Sequence, residues 1–181
     1  ICVVDDTFYL VNSTFSFFPG LPIYKSKDCV NWEQIGNVIH RKSQLDFSNE
    51  TSSRGLYAPT IRYNKGTFYC ICTHVDKIGN FFVTAQKPEG PWSDPIIIEG
   101  ADGIDPSFFF DDDGTAWYVG QHFNKAGVRW NGDCKIWIQR IDTKTGKLYG
   151  AQTDIWSGAL KKRGELDGLA DLVDFGQRLE N

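Results

Sequence analysis

The sequence contains no methionine, only three histidines and no Cys-x-x-Cys pair. Without closely spaced cysteines a zinc site is not expected. His40, His74 and His122 are too far apart in sequence to form a ligand motif. Each is interpreted as structural, although His122 follows the Asp105 segment discussed below and could face the same concavity. No metal or cofactor is predicted. Since the chain starts at Ile1 in what reads as the middle of a strand, we expect a fragment of a longer protein.

Long apolar runs and excess positive charge are also missing. No stretch approaches the roughly 18 apolar residues that span a bilayer, and no signal-peptide pattern opens the chain. The net charge is −4 and the sequence pI is near 5.3. Nucleic acid and anionic membranes are therefore not expected as partners. Both a secreted and a cytoplasmic location fit these features.

The five cysteines are odd in number, and two of them alternate with Ile71 in a strand-like pattern. Cys70 and Cys72 then share one face of that strand. Because free cysteine is among the most buried residue types, we predict buried free thiols rather than disulfides.

Aromatic residues make up 14% of the chain, which fits both a β-rich fold and a surface that stacks on sugar rings. A strand, a polar turn and an aromatic strand recur around Tyr9, Tyr69 and Tyr118, at spacings of 60 and 49 residues. Each is a β-hairpin pattern and is followed by a second hairpin. Two hairpins form a four-stranded unit, and a period near 50 residues is typical of a β-propeller blade.

We therefore predict an all-β fold, a partial propeller over residues 1–158 with about three blades, the first lacking its inner strand. A β-sandwich is the structural alternative. Residues 159–181 lack this pattern, and their apolar spacing is nearer 3.6 than 2. This divergent tail is predicted to form a short amphipathic helix.

The run Asp111-Asp112-Asp113-Gly114 resembles a calcium loop but lacks its spacing, so a tight hairpin turn is preferred.

The most informative segment is residues 103–109, in which Asp105 precedes Pro106 and an apolar run. Proline fixes the backbone beside the carboxylate, and the apolar run predicts a buried strand. A carboxylate held at a rigid strand end suits acid–base or orienting chemistry. The alternative is an Asp-Pro turn that merely starts a strand.

Eight segments in order resemble glycoside hydrolase family 43, especially its β-xylosidase and α-L-arabinofuranosidase branch. They are residues 5–11, 13–20, 26–32, 57–63, 79–81, 90–93, 103–109 and 156–158. The resemblance implies the N-terminal part of a five-bladed propeller that hydrolyses glycosidic bonds with inversion. Such chemistry uses a general-base and a general-acid carboxylate. The expected substrate is a xylose- or arabinose-containing polysaccharide or oligosaccharide.

The resemblance assigns Asp105 to a third family carboxylate, which raises the pKa of the acid and orients it. It places Phe15, Tyr57 and Asn80 in substrate binding, and we expect Phe15, Tyr57 and Asp105 around one concavity. The family often carries Trp in place of Tyr57. The segments that hold the base and the acid have no match here, and Glu165 is only the nearest acidic residue by position.

Non-catalytic alternatives are a carbohydrate-binding propeller fragment and a protein-interaction propeller fragment, in which the aromatics are blade packing. A sucrose-acting propeller hydrolase is the competing enzyme class. The segment Tyr57-Ala58-Pro59-Thr60 favours the xylan-type family instead.

Overall fold

The fold was analysed in a computed structural model, which describes residues 1–128 and 132–157. Within these residues every regular element is a β-strand, as predicted. No described helix has the length and apolar character needed to cross a membrane. The predicted tail 159–181, its helix and Glu165 lie outside the described residues.

In the described part of the chain, twelve strands form three four-stranded antiparallel sheets, each built from consecutive strands. Sheet 1 contains β1 (Cys2–Val4), β2 (Thr7–Val11), β3 (Gly20–Ser26) and β4 (Glu33–Ile39). Sheet 2 contains β5 (Thr60–Asn64), β6 (Thr67–His74), β7 (Gly79–Ala85) and β8 (Ile96–Ile97). Sheet 3 contains β9 (Ile104–Phe110), β10 (Ala116–Phe123), β11 (Cys134–Ile141) and β12 (Leu148–Trp156). This is the blade arrangement that the repeated hairpins predict.

The prediction that sheet 1 lacks its inner strand is wrong. Three residues of that strand are present as β1, with Cys2 opposite Tyr9 and Val4 opposite Thr7. Asp5 has a φ of 53°, so the chain turns tightly and folds β1 back onto β2. The inner strand is therefore short rather than absent.

Sheet 2 is buried on both faces because it lies between the other two sheets. The first core cluster joins sheets 1 and 2, with Ile23 and Val38 on one side and Phe81 and Val83 on the other. The second joins sheets 2 and 3 through Ile71, Phe82, Phe108, Tyr118 and Trp137. Successive residues of a strand point to opposite faces, so adjacent residues of β6 and β7 enter different cores.

The aspartate-rich run is a hairpin turn, as predicted. The N–H of Gly114 donates to Asp111 O at 3.0 Å, and Thr115 N–H donates to the Asp113 carboxylate at 2.7 Å. The φ of Gly114 is 90°, a conformation that glycine adopts without strain. This turn joins β9 to β10 at the end of sheet 3 opposite Asp105.

All five cysteines are free, which confirms that part of the prediction. Cys70 and Cys72 are fully buried between sheets 1 and 2, and burial raises the pKa of both thiols. Cys2 and Cys134 are only partly buried, and the prediction of burial is wrong for Cys29, which lies exposed in the turn after β3. Its position in a turn, not in a strand, accounts for the difference.

Gly103 is expected to be required at the start of β9. Its φ is 84°, and a Cβ there would stand 1.6 Å from the backbone oxygen of Gln121. Gly103→Ala should therefore lower the free energy of unfolding by about 1–2 kcal/mol for the left-handed backbone and by about 1–3 kcal/mol more for the overlap. Chemical denaturation measures this loss.

The matched control is Gly66→Ala. Gly66 has a φ of 86° but nothing within 4 Å of an added Cβ, so only the backbone cost applies. An equal decrease in the free energy of unfolding for the two variants would show that the close approach of Gly103 to β10 does not affect stability.

Candidate functional site

Asp105 is the second residue of β9, where the strand emerges from the core. Its φ of 56° is left-handed, a conformation that aspartate tolerates better than most residues. Pro106, which follows it, is buried and has a fixed φ. The carboxylate is thus held by a rigid strand end, as the sequence predicts.

The environment of Asp105 shifts the pKa of its carboxyl group. The side chain remains accessible to solvent, yet partial burial raises its pKa above the ordinary value of 3.8. Its negative charge in turn contributes to the raised pKa values of Cys72 and Tyr118, although burial is the main cause for both. Asp105 is therefore a partly desolvated carboxylate close to two buried side chains, a setting suited to proton transfer or to electrostatic tuning of a neighbour.

Phe15 is presented to solvent by an unusual backbone. Its φ is 50°, a strained value for a bulky residue, and 41% of its surface is exposed. Two hydrogen bonds hold it: Phe15 N–H donates to Leu56 O at 3.0 Å, and Leu56 N–H donates to Phe15 O at 2.9 Å. A Cβ on Gly55 would stand 2.5 Å from Phe15 O, so glycine permits this pairing. Strain held in this way is typical of functional positions.

Phe15 and Tyr57 form one aromatic platform, although 42 residues of sequence separate them. Their ring centroids lie 5.9 Å apart in an edge-to-face arrangement. Arg54 donates to the Tyr57 hydroxyl at 3.0 Å, lies over the ring at 5.7 Å and pairs with Asp76. Sequence reasoning missed Arg54, since the resemblance carries no signal for it.

A hydrogen-bonded path joins the platform to the Asp105 strand. Tyr57 N–H donates to Thr73 O at 3.0 Å, and the Thr73 hydroxyl donates to Asn80 Oδ1 at 2.6 Å. Asn80 Nδ2 then donates to Ala101 O at 2.9 Å and to Gly103 O at 3.1 Å. Gly103 is two residues before Asp105, so the path fixes the strand that carries the carboxylate.

The same contacts correct the assignment of Asn80 to substrate binding. Asn80 is only 2% exposed, and its amide oxygen and nitrogen both bond to protein groups. Direct contact with a sugar is therefore not expected. Asn80 instead holds the backbone of residues 101–103 in position from the protein interior.

A buried histidine–carboxylate pair also supports the platform and was not identified from the sequence. His74 Nε2 lies 2.8 Å from Glu50 Oε1, with side-chain exposures of 1% and 4%. His74 bridges Leu56, the partner of Phe15, while Phe47 packs against its ring. The pair ties the loop before Tyr57 to the end of β6.

His122 lies at the end of β10 and is 6% exposed. Its neighbour Gln121 pairs with Ile104, the residue before Asp105. His122 is thus at the same end of sheet 3 as Asp105. Across residues 1–128 and 132–157, no three His, Cys, Asp or Glu side chains are grouped to hold a metal ion.

Asn80→Asp should loosen the Asp105 strand. The change replaces two N–H donors by a carboxylate that faces two carbonyl oxygens in a buried site. We expect a loss of about 3 kcal/mol or more in the free energy of unfolding, and faster hydrogen exchange at residues 101–103. Asn37→Asp is the matched control, because Asn37 only accepts a hydrogen bond from Gln34 near the surface. Similar losses in both variants would contradict the positioning role.

Asp105→Asn should change the pH dependence of stability with a defined sign. Because the folded pKa of Asp105 is raised, folding binds protons here, and stability falls as the pH rises from 3.8 through the folded pKa. Asp105→Asn removes this loss of stability. At a pH above the folded pKa of Asp105, the melting temperature of the variant should therefore exceed that of the unmodified chain; at a pH below 3.8 it should not.

Asp113→Asn is the control, because the pKa of Asp113 is shifted in the opposite direction to that of Asp105. Hydrogen bonds from Thr115 lower the pKa of Asp113, so its ionised form stabilises the fold above pH 3.8 and this contribution is lost as the pH falls. Thermal melts from pH 3 to pH 7 compare the two. A lower melting temperature for Asp105→Asn at neutral pH would contradict the raised pKa.

Comparison with known proteins gives close relatives. The chain is 53% identical over 163 residues to a xylosidase/arabinosidase of Butyrivibrio fibrisolvens, covering 89% of the chain and 31% of that protein. A solved GH43_12 structure from a capybara gut metagenome superposes with a TM-score of 0.81 at 41% identity, over 88% of the chain and 30% of that structure. The xylan β-1,4-xylosidase of Bacillus halodurans gives a TM-score of 0.78 at 37% identity, over 87% and 31% respectively.

The chain therefore spans about a third of the length of these relatives. The three sheets correspond to three blades of a partial five-bladed propeller, which confirms the predicted fold. The model of glycosyl hydrolases family 43 matches residues 1–168. The chain belongs to glycosyl hydrolases family 43.

Proposed function

We propose that this chain supplies part of the active site of a glycosidase that hydrolyses xylose- or arabinose-containing oligosaccharides or polysaccharides with inversion. The observation that carries the proposal is the hydrogen-bonded path from Tyr57 through Asn80 to the Asp105 strand. It holds an aromatic platform and a partly desolvated carboxylate in a fixed relation. The relatives named xylosidase or arabinosidase support the substrate class.

In this proposal the platform binds the terminal sugar. The exposed face of Phe15 and the ring of Tyr57 offer apolar surface for the C–H face of a sugar ring. Arg54 restrains Tyr57 through its hydroxyl, so the ring is ordered before the sugar arrives. Tyrosine in place of tryptophan presents a smaller stacking surface.

Asp105 has a tuning role in the proposed reaction. An ionised carboxylate beside a glutamic acid raises the pKa of that acid, which keeps it protonated for donation to the leaving oxygen. The role needs a fixed position and a charge, and the strand end and its accessible side chain provide both. The general base and general acid are expected from segments that have no match in this chain.

The test is the Asp105→Asn variant in a longer protein that includes the matching base and acid segments. We expect kcat on nitrophenyl xyloside or arabinofuranoside to fall by about 10²- to 10⁴-fold, with a smaller change in KM. Asp113→Asn, in the turn at the other end of sheet 3, should leave kcat unchanged. Undiminished turnover by the Asp105 variant would refute the role.

The 181-residue chain by itself should not turn over these substrates. Inverting hydrolysis needs an acid and a base, and Asp105 in a tuning role replaces neither. Its rate should equal that of its own Asp105→Asn variant, measured by nitrophenol release. Robust turnover by the purified chain would contradict this expectation, and Glu165 would then be the first residue to replace.

A further inference from the structure

A β-bulge lies between β9 and β10 at Asp105. The pairing register shifts within residues 104–107 of β9 and 119–121 of β10. Two residues, Asp105 and Pro106, therefore face one residue, Gly120. Such a bulge often gives its first residue a left-handed backbone, and Asp105 has a φ of 56°. Since bulges redirect side chains, this one sets the direction of the Asp105 carboxylate.

The hydroxyl group of Tyr118 points along β10 to this bulge. Tyr118 and Gly120 are two residues apart on β10, so they share the face that packs against sheet 2. A Cβ on Gly120 would stand 2.7 Å from Tyr118 Oη, so the phenol group lies directly over Gly120. The hydroxyl is thus held beside the residue of β10 that faces Asp105 and Pro106.

This hydroxyl is a buried donor that needs an acceptor. Tyr118 is fully buried, and within residues 1–128 and 132–157 its Oη has no hydrogen-bond partner. Trp137, opposite Gly120 on β11, carries a second such donor at Nε1, and its ring lies 4.8 Å from that of Tyr118. Leaving a buried donor unpaired is costly. An acceptor is therefore expected next to the Tyr118 hydroxyl.

Two carboxylates are near enough to supply that acceptor. After burial, the charges of Asp102 and then of Asp105 are the causes of the raised pKa of Tyr118. Asp102 already has a partner, because Lys125 Nζ lies 2.8 Å from its Oδ2, and its side chain is 59% exposed. The Asp105 carboxylate has no donor among the described residues, and burial alone shifts its pKa. A donor without an acceptor thus lies close to an acceptor without a donor.

We propose that Tyr118 is a positioning residue for Asp105, and that one water molecule relays a hydrogen bond from its buried hydroxyl to the ionised Asp105 carboxylate. The Asp105 side chain is accessible to solvent, so water reaches it, and a bridging water is nearly as favourable as direct contact. The inference rests on the proposed function, in which Asp105 must be ionised. Burial opposes ionisation, and a hydrogen bond donated to the carboxylate offsets it.

The experiment measures the pKa of Asp105 in the full chain, labelled with ¹³C at the aspartate carboxyl groups and titrated by NMR. The signal of Asp105 is identified by its loss in Asp105→Asn. Tyr118→Phe removes the hydroxyl and keeps the ring. We expect it to raise the pKa of Asp105 by about one unit, the tenfold change that one hydrogen bond to a charged group provides.

Two further variants make the result specific. Tyr69→Phe is the matched control, because Tyr69 packs in the same core but lies against Phe110 at the far end of β9, so the pKa of Asp105 should not change. Gly120→Ala keeps the hydroxyl but displaces it, and should raise the pKa of Asp105 as Tyr118→Phe does. An unchanged pKa of Asp105 in both Tyr118→Phe and Gly120→Ala would overturn the proposal. So would a larger shift at Asp102 than at Asp105.

Thermal melts distinguish a relayed hydrogen bond from a merely unpaired hydroxyl. Removing an unpaired hydroxyl is neutral or stabilising at every pH. If the bond is relayed, Tyr118→Phe raises the folded pKa of Asp105 further above 3.8, so the variant loses stability only at pH values where Asp105 is ionised. A higher melting temperature of Tyr118→Phe at pH 7 would contradict the relay. The other titratable or charged groups around Asp105 are the same in each variant: Cys72, Arg62, His122, and Asp102 with Lys125.

Activity separates this inference from the proposed function. In a longer protein that includes the matching acid and base segments, Tyr118→Phe should move the acidic limb of the kcat/KM profile to higher pH by up to about one unit, and Tyr69→Phe should not. A raised pKa of Asp105 with an unmoved limb would overturn the tuning role of Asp105 and support the contact. An unchanged pKa with a loss of kcat in Asp105→Asn would overturn the contact and support the tuning role.

Discussion

The burial of sheet 2 on both faces is the constraint on which the rest of the structure depends. Its central strands alternate side chains between two cores, so Phe81 faces sheet 1 while Phe82 faces sheet 3. Burying an aromatic or branched side chain contributes about 1.5–3 kcal/mol, and sheet 2 contributes such side chains to each interface. Because sheet 2 fixes both neighbours, it also fixes the distance between the Phe15 loop and the Asp105 strand, which come from different sheets.

Buried hydrogen bonds then fix the loops around the candidate site more closely than the apolar packing of the sheets does. Asn80 and the Glu50–His74 pair are buried hydrogen-bonding groups below the site, and each ties a loop to the end of a strand in sheet 2. Buried polar groups cost free energy unless they are satisfied. They therefore hold the loops in one arrangement, including the left-handed backbone of Phe15 and Asp105. The candidate site is thus ordered by buried residues that lie beneath it.

The fold was largely predictable, because the hairpin pattern and the spacing of Tyr9, Tyr69 and Tyr118 depend on local sequence. The position of Asp105 at a strand end was predictable for the same reason, since its strand and proline are contiguous. The Glu50–His74 pair was missed because its two members are 24 positions apart in sequence. Arg54 was missed because the resemblance carries no signal for it. Asn80 was assigned to substrate binding, but its side chain is buried and bonds to protein groups. A motif match shows which residue is present and not which way its side chain points.

The two buried thiols make the contact between sheets 1 and 2 directly observable. Only a thiolate reacts readily with alkylating reagents, and burial keeps Cys70 and Cys72 protonated and out of reach. Their modification therefore requires the two sheets to separate, while exposed Cys29 reacts in the closed state. The rate at which a reagent labels the slow pair reports the opening equilibrium of this interface. The chain in this way carries its own probe of local unfolding, with no introduced label.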